Sequence, residues 1–115
     1  MRATQPSRRE RATRWSWSSY PHLFTGDGQT CGLNQLTPGE EKLLNQTVDL
    51  LDGVIATEAA AHGFTLVDPR AAFSSHEVCA SVPWLNGLSL PTSESYHPNI
   101  AGQAQFAALI EASLP

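Results

Sequence analysis

The residues best suited to chemistry lie near the carboxyl end of the chain, in the segment Glu94-Ser95-Tyr96-His97-Pro98-Asn99. An apolar segment with helical spacing follows, so the pattern predicts a loop with an imidazole three residues after a carboxylate. A carboxylate bound to one ring nitrogen of a histidine fixes its tautomer and stabilises the cationic ring. Glu94 and His97 are therefore candidates for the orienting acid and the general base of a catalytic site. The alternative interpretation is a surface ion pair.

A nucleophile for this base is not evident in the sequence. Gly26-Asp27-Gly28 has the glycines of a nucleophile turn, but glycine stands where the attacking hydroxyl is needed. An attacking Oγ is exposed in a glycine-flanked turn from a strand into a helix. None of the following four serines lies in such a turn: Ser18, Ser19, Ser74 and Ser75. The sequence thus offers a base and an acid without the group that they would activate.

The other histidines do not indicate a metal or cofactor site. His76-Glu77 begins like a zinc-binding helix, but the second histidine would stand at residue 80, which is Ala80. We interpret His76 as a hydrogen-bonding loop residue and His62 as a structural residue at a helix end. No glycine-rich phosphate loop or metal-ligand cluster occurs in the sequence. We therefore predict no metal and no cofactor.

Composition indicates one globular domain at most, since 41% of the 115 residues are hydrophobic and 16% are charged. Five of the seven basic residues precede Trp15, which leaves an acidic body that disfavours nucleic-acid binding there. Residues 1–14 are predicted to be a disordered basic segment, with a nucleic-acid arm or a transit peptide as alternatives. The sequence contains no secretory signal pattern and no apolar run long enough to span a bilayer.

The pattern of the sequence predicts a strand at residues 15–20, a long helix from a capping box at Thr37 to Gly63, and a strand at residues 64–68. A strand, a helix and a second strand form a crossover with parallel pairing, so the fold class is α/β. The predicted buried stripe of the helix is centred on four apolar residues: Leu44, Val48, Leu51 and Ile55. Three acidic residues are expected to face away from it: Asp49, Asp52 and Glu58.

Residues 69–96 are predicted to form a packed loop beside a binding cleft, with Trp84 as a candidate substrate-binding residue. Cys31 and Cys79 lie in polar stretches, and either a disulfide or two free thiols fits their spacing. A last helix follows, with these apolar residues on one side: Ile100, Phe106, Ala107, Ile110 and Leu114.

The segment from Glu94 to Asn99, followed by Ala101-Gly102, resembles the final block of the SGNH (GDSL-type) lipases and esterases. In that family an Asp-x-x-His pattern completes a Ser-His-Asp triad. The resemblance covers roughly residues 20–114, and the motifs are similar to those of secreted actinobacterial members. Three further motifs carry it: Tyr20-Pro21 near Cys31-Gly32-Leu33, His76-Glu77-Val78-Cys79 and Pro83-Trp84-Leu85-Asn86-Gly87.

This resemblance implies a partial flavodoxin-like α/β/α sandwich that lacks its N-terminal half, with residues 15–115 as the C-terminal part of the domain. It implies a disulfide between Cys31 and Cys79, His97 as triad base and Glu94 as its acid. It further implies cofactor-free hydrolysis of a small-molecule ester or lipid outside the cell.

The sequence departs from the family pattern in three places. Glu94 replaces the usual aspartate, although some relatives orient the histidine with a backbone carbonyl instead, and Gln103 stands where a second histidine is common. The N-terminal blocks that supply the serine and the oxyanion donors are absent. We therefore expect a carboxylic-ester hydrolase that is truncated and weakly active or inactive alone. The alternatives are a non-catalytic binding or structural remnant of the fold and, less favoured, an arginine-tailed nucleic-acid binder.

Overall fold

Two short parallel strands and two long helices make up most of the computed structural model, which describes residues 15–26, 31 and 35–114. The predicted disorder of residues 1–14 lies outside this part of the chain. The elements in chain order are β1 (Ser16–Ser18), α1 (Pro38–Ala61), β2 (Thr65–Val67), α2 (Arg70–Phe73), a 3₁₀ turn (Thr92–Glu94) and α3 (Ile100–Ser113).

The predicted parallel pairing is confirmed. Strands β1 and β2 pair in parallel, with Trp17 opposite Leu66. The pairing extends by one hydrogen bond at each end, from Thr65 N to the carbonyl of Trp15 (2.9 Å) and from Ser19 N to the carbonyl of Val67 (2.9 Å). Each strand is three residues long, shorter than the sequence predicts.

Helix α1 begins and ends as the sequence predicts. The Thr37 hydroxyl accepts from Glu40 N at 3.2 Å, and the Glu40 carboxylate accepts from Thr37 N at 3.0 Å, which completes the capping box. At the other end Gly63 has a φ of 71°, a left-handed conformation that favours glycine. His62 is the C-cap residue, in agreement with its predicted structural role.

The prediction of which side of α1 is buried is wrong in part. Asp52, expected to face solvent, is 1% exposed, whereas Leu51 in the predicted buried stripe is 45% exposed. Leu50 is 74% exposed. The reason is that this side of the helix meets the backbone of residues 20–26, whose amides require acceptors.

Four side chains on one side of α1, which we call its polar face, bind the extended residues 20–26. The bonds are Gly26 N to Glu41 Oε1 (3.2 Å), Phe24 N to Asn45 Oδ1 (3.3 Å), Asn45 Nδ2 to Phe24 O (2.7 Å), His22 Nε2 with Asp49 Oδ1 (2.6 Å) and Tyr20 N to Asp52 Oδ1 (2.8 Å). Two extended residues span about 6.6 Å, close to the roughly 6 Å between helical residues i and i+4. Because these two distances are similar, every second residue from Gly26 back to Tyr20 contacts a side chain about one turn further along the helix.

The buried core lies on the other side of residues 20–26. It consists of Phe24, Phe73, Val78 and Leu85, against which Phe106 and Leu109 of α3 pack. The predicted apolar side of α3 is therefore correct for Phe106 but wrong for Ile100, which is 91% exposed.

Cys31 and Cys79 form a disulfide, which decides between the two alternatives that their spacing left open. The bond joins residues 48 positions apart. It connects the segment before α1 to the loop that precedes Trp84.

Two helical glycines allow a matched test of packing. A Cβ on Gly102 would collide with the carbonyl oxygen of Trp84, whereas a Cβ on Gly53 would meet nothing within 4 Å. We expect Gly102→Ala to destabilise the chain by about 1–3 kcal/mol, because the clash is with backbone. Gly53→Ala should stabilise it by roughly 0.5–1 kcal/mol, because alanine loses less backbone entropy on folding. The two urea-unfolding midpoints should thus move in opposite directions. Equal midpoints would contradict the close approach of α3 to Trp84.

Candidate active site

The loop that carries His97 is tied to the rest of the molecule immediately after the histidine. Asn99 is the N-cap of α3, and its Oδ1 accepts from Gly102 N at 2.9 Å. Its Nδ2 donates to the carbonyl of Pro83 at 2.7 Å, and its backbone N donates to the carbonyl of Trp84 at 3.0 Å. One residue therefore caps the helix and fastens the start of the helix to residues 83–84.

A strained residue precedes His97. Tyr96 has a φ of 61°, a left-handed conformation that costs a bulky residue about 1–3 kcal/mol. Its ring packs edge-on against Phe24, with centroids 5.9 Å apart, and its backbone N donates to the carbonyl of Asn86 at 3.1 Å. The core thus maintains a sharp turn directly before the imidazole.

His97 is exposed and lies on a ridge between two depressions. One depression, of about 570 Å³, has a mixed lining in which polar residue types predominate, among them Asn86, Ser93 and Glu94, and we call it the polar depression. The other, of about 460 Å³, has a largely apolar lining: Pro21, Leu23, Leu85, Tyr96, Phe106 and Ile110. His97, Pro98 and Gln103 border both and form the ridge. An imidazole in this position can reach a molecule in either depression.

Glu94 borders the polar depression together with His97. Its backbone carbonyl accepts from His97 N at 3.3 Å. Among the described residues, no hydrogen bond or ion pair joins the Glu94 carboxylate to the imidazole. The role of Glu94 as the orienting acid stays a prediction.

Hydroxyl groups occur beside His97 but do not bind it. Ser18 and Ser19 border the apolar depression and Ser93 the polar one. Ser18 Oγ donates to the carbonyl of Ser19 (2.9 Å), and Ser19 Oγ donates to the carbonyl of Val67 (3.4 Å). Within residues 15–26, 31 and 35–114, no hydroxyl is hydrogen-bonded to the His97 ring. The described part of the chain thus contains no assembled pair of nucleophile and base.

Trp84 packs beneath the loop. Its ring stacks in parallel on His76, with centroids 3.6 Å apart, and meets Phe73 edge-on. His76 Nδ1 is 2.7 Å from the carbonyl of Val82, which confirms the predicted hydrogen-bonding role of that histidine. Trp84 borders neither depression beside His97. Its role in substrate binding stays a prediction.

Sequence reasoning missed several residues of this site. Asn99 carried a usable signal, since asparagine directly before an apolar helical segment is a preferred N-cap. Asn86 and Gln103 belong to segments that carry the family resemblance, but nothing in their local sequence shows that they border the same depression as His97. His22 likewise gave no signal, although it binds Asp49 across the space between residues 20–26 and α1.

A network of charged groups is hydrogen-bonded to Tyr20, which borders the apolar depression. Arg70 binds Asp68 through Nη2 and Asp49 through Nη1, both at 2.7 Å, and its Nε lies 3.4 Å from Asp52 Oδ2. Burial raises the pKa of Asp52. Hydrogen bonds from His22 and Arg70 lower the pKa of Asp49, and a hydrogen bond from Arg70 lowers that of Asp68. Asp52 also accepts from Tyr20 N, so this network supports a residue of the depression.

The described residues contain neither a candidate metal site nor a candidate membrane-spanning helix. No group of three or more of their histidine, cysteine, aspartate or glutamate side chains is placed to hold a metal ion. None of their helices is both long and apolar enough to cross a membrane.

Comparison with known proteins identifies relatives of this chain. It is 44% identical over 87 residues to Lipase 1 of Streptomyces coelicolor and 35% identical over 86 residues to a lipase of Streptomyces rimosus. These matches cover 74% and 75% of this chain, but the chain spans only 31% of the length of either relative. They fall in the C-terminal portion of those lipases. No protein-family model matches the chain.

Solved structures agree with the sequence matches. The chain superposes on the extracellular lipase of Streptomyces rimosus with a TM-score of 0.76 at 31% identity, and on phospholipase A1 of Streptomyces albidoflavus NA297 with a TM-score of 0.74 at 33% identity. Each superposition covers 87% of this chain and 42% of the other. The predicted fold, part of an SGNH-type sandwich, is confirmed.

The acidic residues of α1 should have opposite effects on stability as the pH changes. Burial raises the pKa of Asp52 in the folded state, so ionisation of this carboxyl lowers the free energy of unfolding as the pH rises. Asp52→Asn keeps an acceptor for Tyr20 N and cannot ionise. It should therefore gain stability relative to the parent between about pH 3 and about pH 7.

Asp49→Asn is the matched control. The lowered pKa of Asp49 means that its ionised form stabilises the fold, and that this contribution is lost as the pH falls. The variant should be less stable than the parent at about pH 7, by up to ~1 kcal/mol for an exposed pair, and should approach it at about pH 3. Urea unfolding at both pH values measures the difference. Parallel pH profiles for the two variants would contradict this assignment.

Proposed function

Since the chain belongs to the SGNH-type lipases, we propose that it is the base-bearing part of a carboxylic-ester hydrolase, with His97 as the general base. The observation that carries the proposal is the position of His97. Its imidazole is exposed on the ridge between a polar and an apolar depression, in a loop tied on both sides. A base in such a position meets the reacting carbonyl of a molecule that occupies both depressions.

The proposed reaction has two halves. His97 accepts the proton of a serine hydroxyl as its oxygen attacks the acyl carbon, and then donates that proton to the departing alcohol. It next activates a water molecule, which releases the acid and restores the serine. Glu94 stabilises the imidazolium formed in each half. Both side chains are exposed and border one depression, which supports the pairing.

We infer that the serine and the oxyanion donors come from a part of the fold outside these 115 residues. The sequence has no nucleophile turn, and the chain covers 42% of each similar lipase structure. In the described residues β1 pairs only with β2, and isolated two-stranded parallel sheets are not a stable arrangement. Ser18 of β1 borders the apolar depression, and we infer that the remaining part of the fold packs beside this strand.

The two depressions support a substrate with unlike ends. The apolar depression suits an acyl chain, and the polar depression suits an alcohol or head group. Both similar structures are lipolytic enzymes by name, a lipase and a phospholipase A1. We propose an ester or lipid substrate and an extracellular location, which the disulfide supports because such bonds persist in oxidising compartments.

Reconstitution tests the proposal. The 115-residue chain alone should hydrolyse p-nitrophenyl butyrate weakly or not at all, and should not be labelled by a fluorophosphonate. Mixed with the N-terminal portion of the Streptomyces rimosus lipase that it does not match, it should form an active pair. His97→Ala should lower kcat of that pair by roughly 10²–10⁴-fold, because a general base is lost.

His62→Ala serves as the control, because His62 is also exposed but lies at the end of α1, where its ion pair is with Glu58 and its ring neighbours are Trp17 and Phe64. It should leave kcat unchanged. Hydrolysis by the chain alone that depends on His97 would contradict the truncated state. A stable pair without hydrolysis would instead favour the non-catalytic remnant.

The role of Glu94 needs its own test. If its carboxylate stabilises the imidazolium, Glu94→Gln should lower kcat of the reconstituted pair by about tenfold or more, with KM little changed. Glu111→Gln, an exposed glutamate on α3, should have no effect. Equal kcat values for the two variants would show that a backbone carbonyl orients His97 instead.

A further inference from the structure

We propose that Asn86 is the positioning residue for His97. The inference rests on the proposed function for its catalytic meaning. Its structural part, that Asn86 holds the turn from Glu94 to His97, stands independently of that function. Neither the local sequence nor the triad pattern assigns a role to this asparagine.

Asn86 directs three hydrogen bonds to this one turn. Its backbone N donates to the carbonyl of His97 at 2.9 Å, and its carbonyl accepts from Tyr96 N at 3.1 Å. Its side-chain Nδ2 donates to the carbonyl of Glu94 at 3.1 Å. The two backbone bonds continue the antiparallel contact between Leu85 and Pro98.

The hydrogen bond from Asn86 Nδ2 differs from the two backbone bonds because its acceptor is the carbonyl of Glu94. The Glu94 carbonyl also accepts from His97 N, at 3.3 Å, so one oxygen closes the turn and joins it to Asn86. Glu94 and His97 are both exposed, and burial therefore contributes little to holding them. A buried apolar contact does hold Tyr96, but its strained φ of 61° means that the backbone on either side needs restraint.

One other side chain anchors this turn. Ser95 Oγ accepts from Ser89 N at 2.9 Å and donates to the carbonyl of Ser89 at 3.3 Å. Ser95 thus restrains the backbone immediately before Tyr96. Asn86 restrains both ends of the turn, because its hydrogen bonds reach Glu94, where the turn begins, and His97, where it ends.

A change at Asn86 should therefore loosen the turn without unfolding the domain. Asn86→Asp has nearly the same size but has lost the Nδ2 donor, and Asn86→Ala has lost the side-chain bond and its volume. Ser93→Ala is the matched control, because Ser93 borders the same depression and its hydroxyl has no hydrogen bond within the described residues. All three variants keep the backbone bonds of residue 86.

The first measurement is amide hydrogen exchange of the full 115-residue chain, resolved by peptide. Peptides that contain Tyr96 and His97 should exchange about 3–10-fold faster in both Asn86 variants, the effect of one lost hydrogen bond on local opening. Exchange in α1 should not change, and Ser93→Ala should match the parent throughout. An unprotected turn in the parent, unchanged exchange in the variants, or equally faster exchange in α1 would each overturn the proposal.

The second measurement is kinetic and uses the reconstituted pair. Both Asn86 variants should lower kcat about tenfold while KM stays within about twofold, because a displaced base affects the chemical step more than binding. A faster-exchanging turn with an unchanged kcat would overturn the positioning role. An inactive parent pair would instead refute the proposed function, and the exchange result would still decide whether Asn86 holds the turn.

Discussion

The site depends on hydrogen bonds between two irregular segments, residues 83–86 and 96–99. No long strand or helix of the described residues contains His97, which is exposed between the half-buried Tyr96 and Pro98. Asn86 and Asn99 supply the restraint, each with bonds from backbone and side chain together. An imidazole can act as a base only in a narrow range of positions, and these bonds restrict the positions that His97 can occupy.

The polar face of α1 lies where a helix usually buries apolar side chains. Helix burial is commonly apolar, but here one face of the helix accepts hydrogen bonds from the backbone amides of Tyr20, Phe24 and Gly26. Glu41 and Asp52 are each 1% exposed and satisfy two of them. As a consequence the apolar residues of the helix turn outward. The same segment supplies Tyr20, Pro21 and Leu23 to the apolar depression, so the acids of α1 indirectly shape the site.

Much of the local structure follows from the sequence. The capping box at Thr37, the left-handed Gly63 and the short β2 are local effects, and each was predicted correctly within a few residues. The orientation of α1 was not predictable, because periodicity identifies a stripe but not the surface that it meets. Trp84 illustrates the same limit: an apolar loop residue near cysteines fits both a cleft and a core, and only the structure shows that its ring packs against His76 and Phe73.

By itself the sequence determined the α/β class, the ends of α1 and the start of α3, because caps and spacing are local properties of the chain. Its segment from Glu94 to Asn99 also carries the resemblance to the family. The short helix α2 was not predicted, since it lies within residues 69–96, where the sequence indicates a loop. The sequence left the cysteine pairing open, which the disulfide between Cys31 and Cys79 resolves. Only the tertiary structure decided that His97 is exposed between unlike depressions, that Asp52 is buried and that Asn86 meets the turn before His97. These facts depend on residues distant in sequence whose hydrogen-bonding groups must find partners, and no local pattern records which partner each will find.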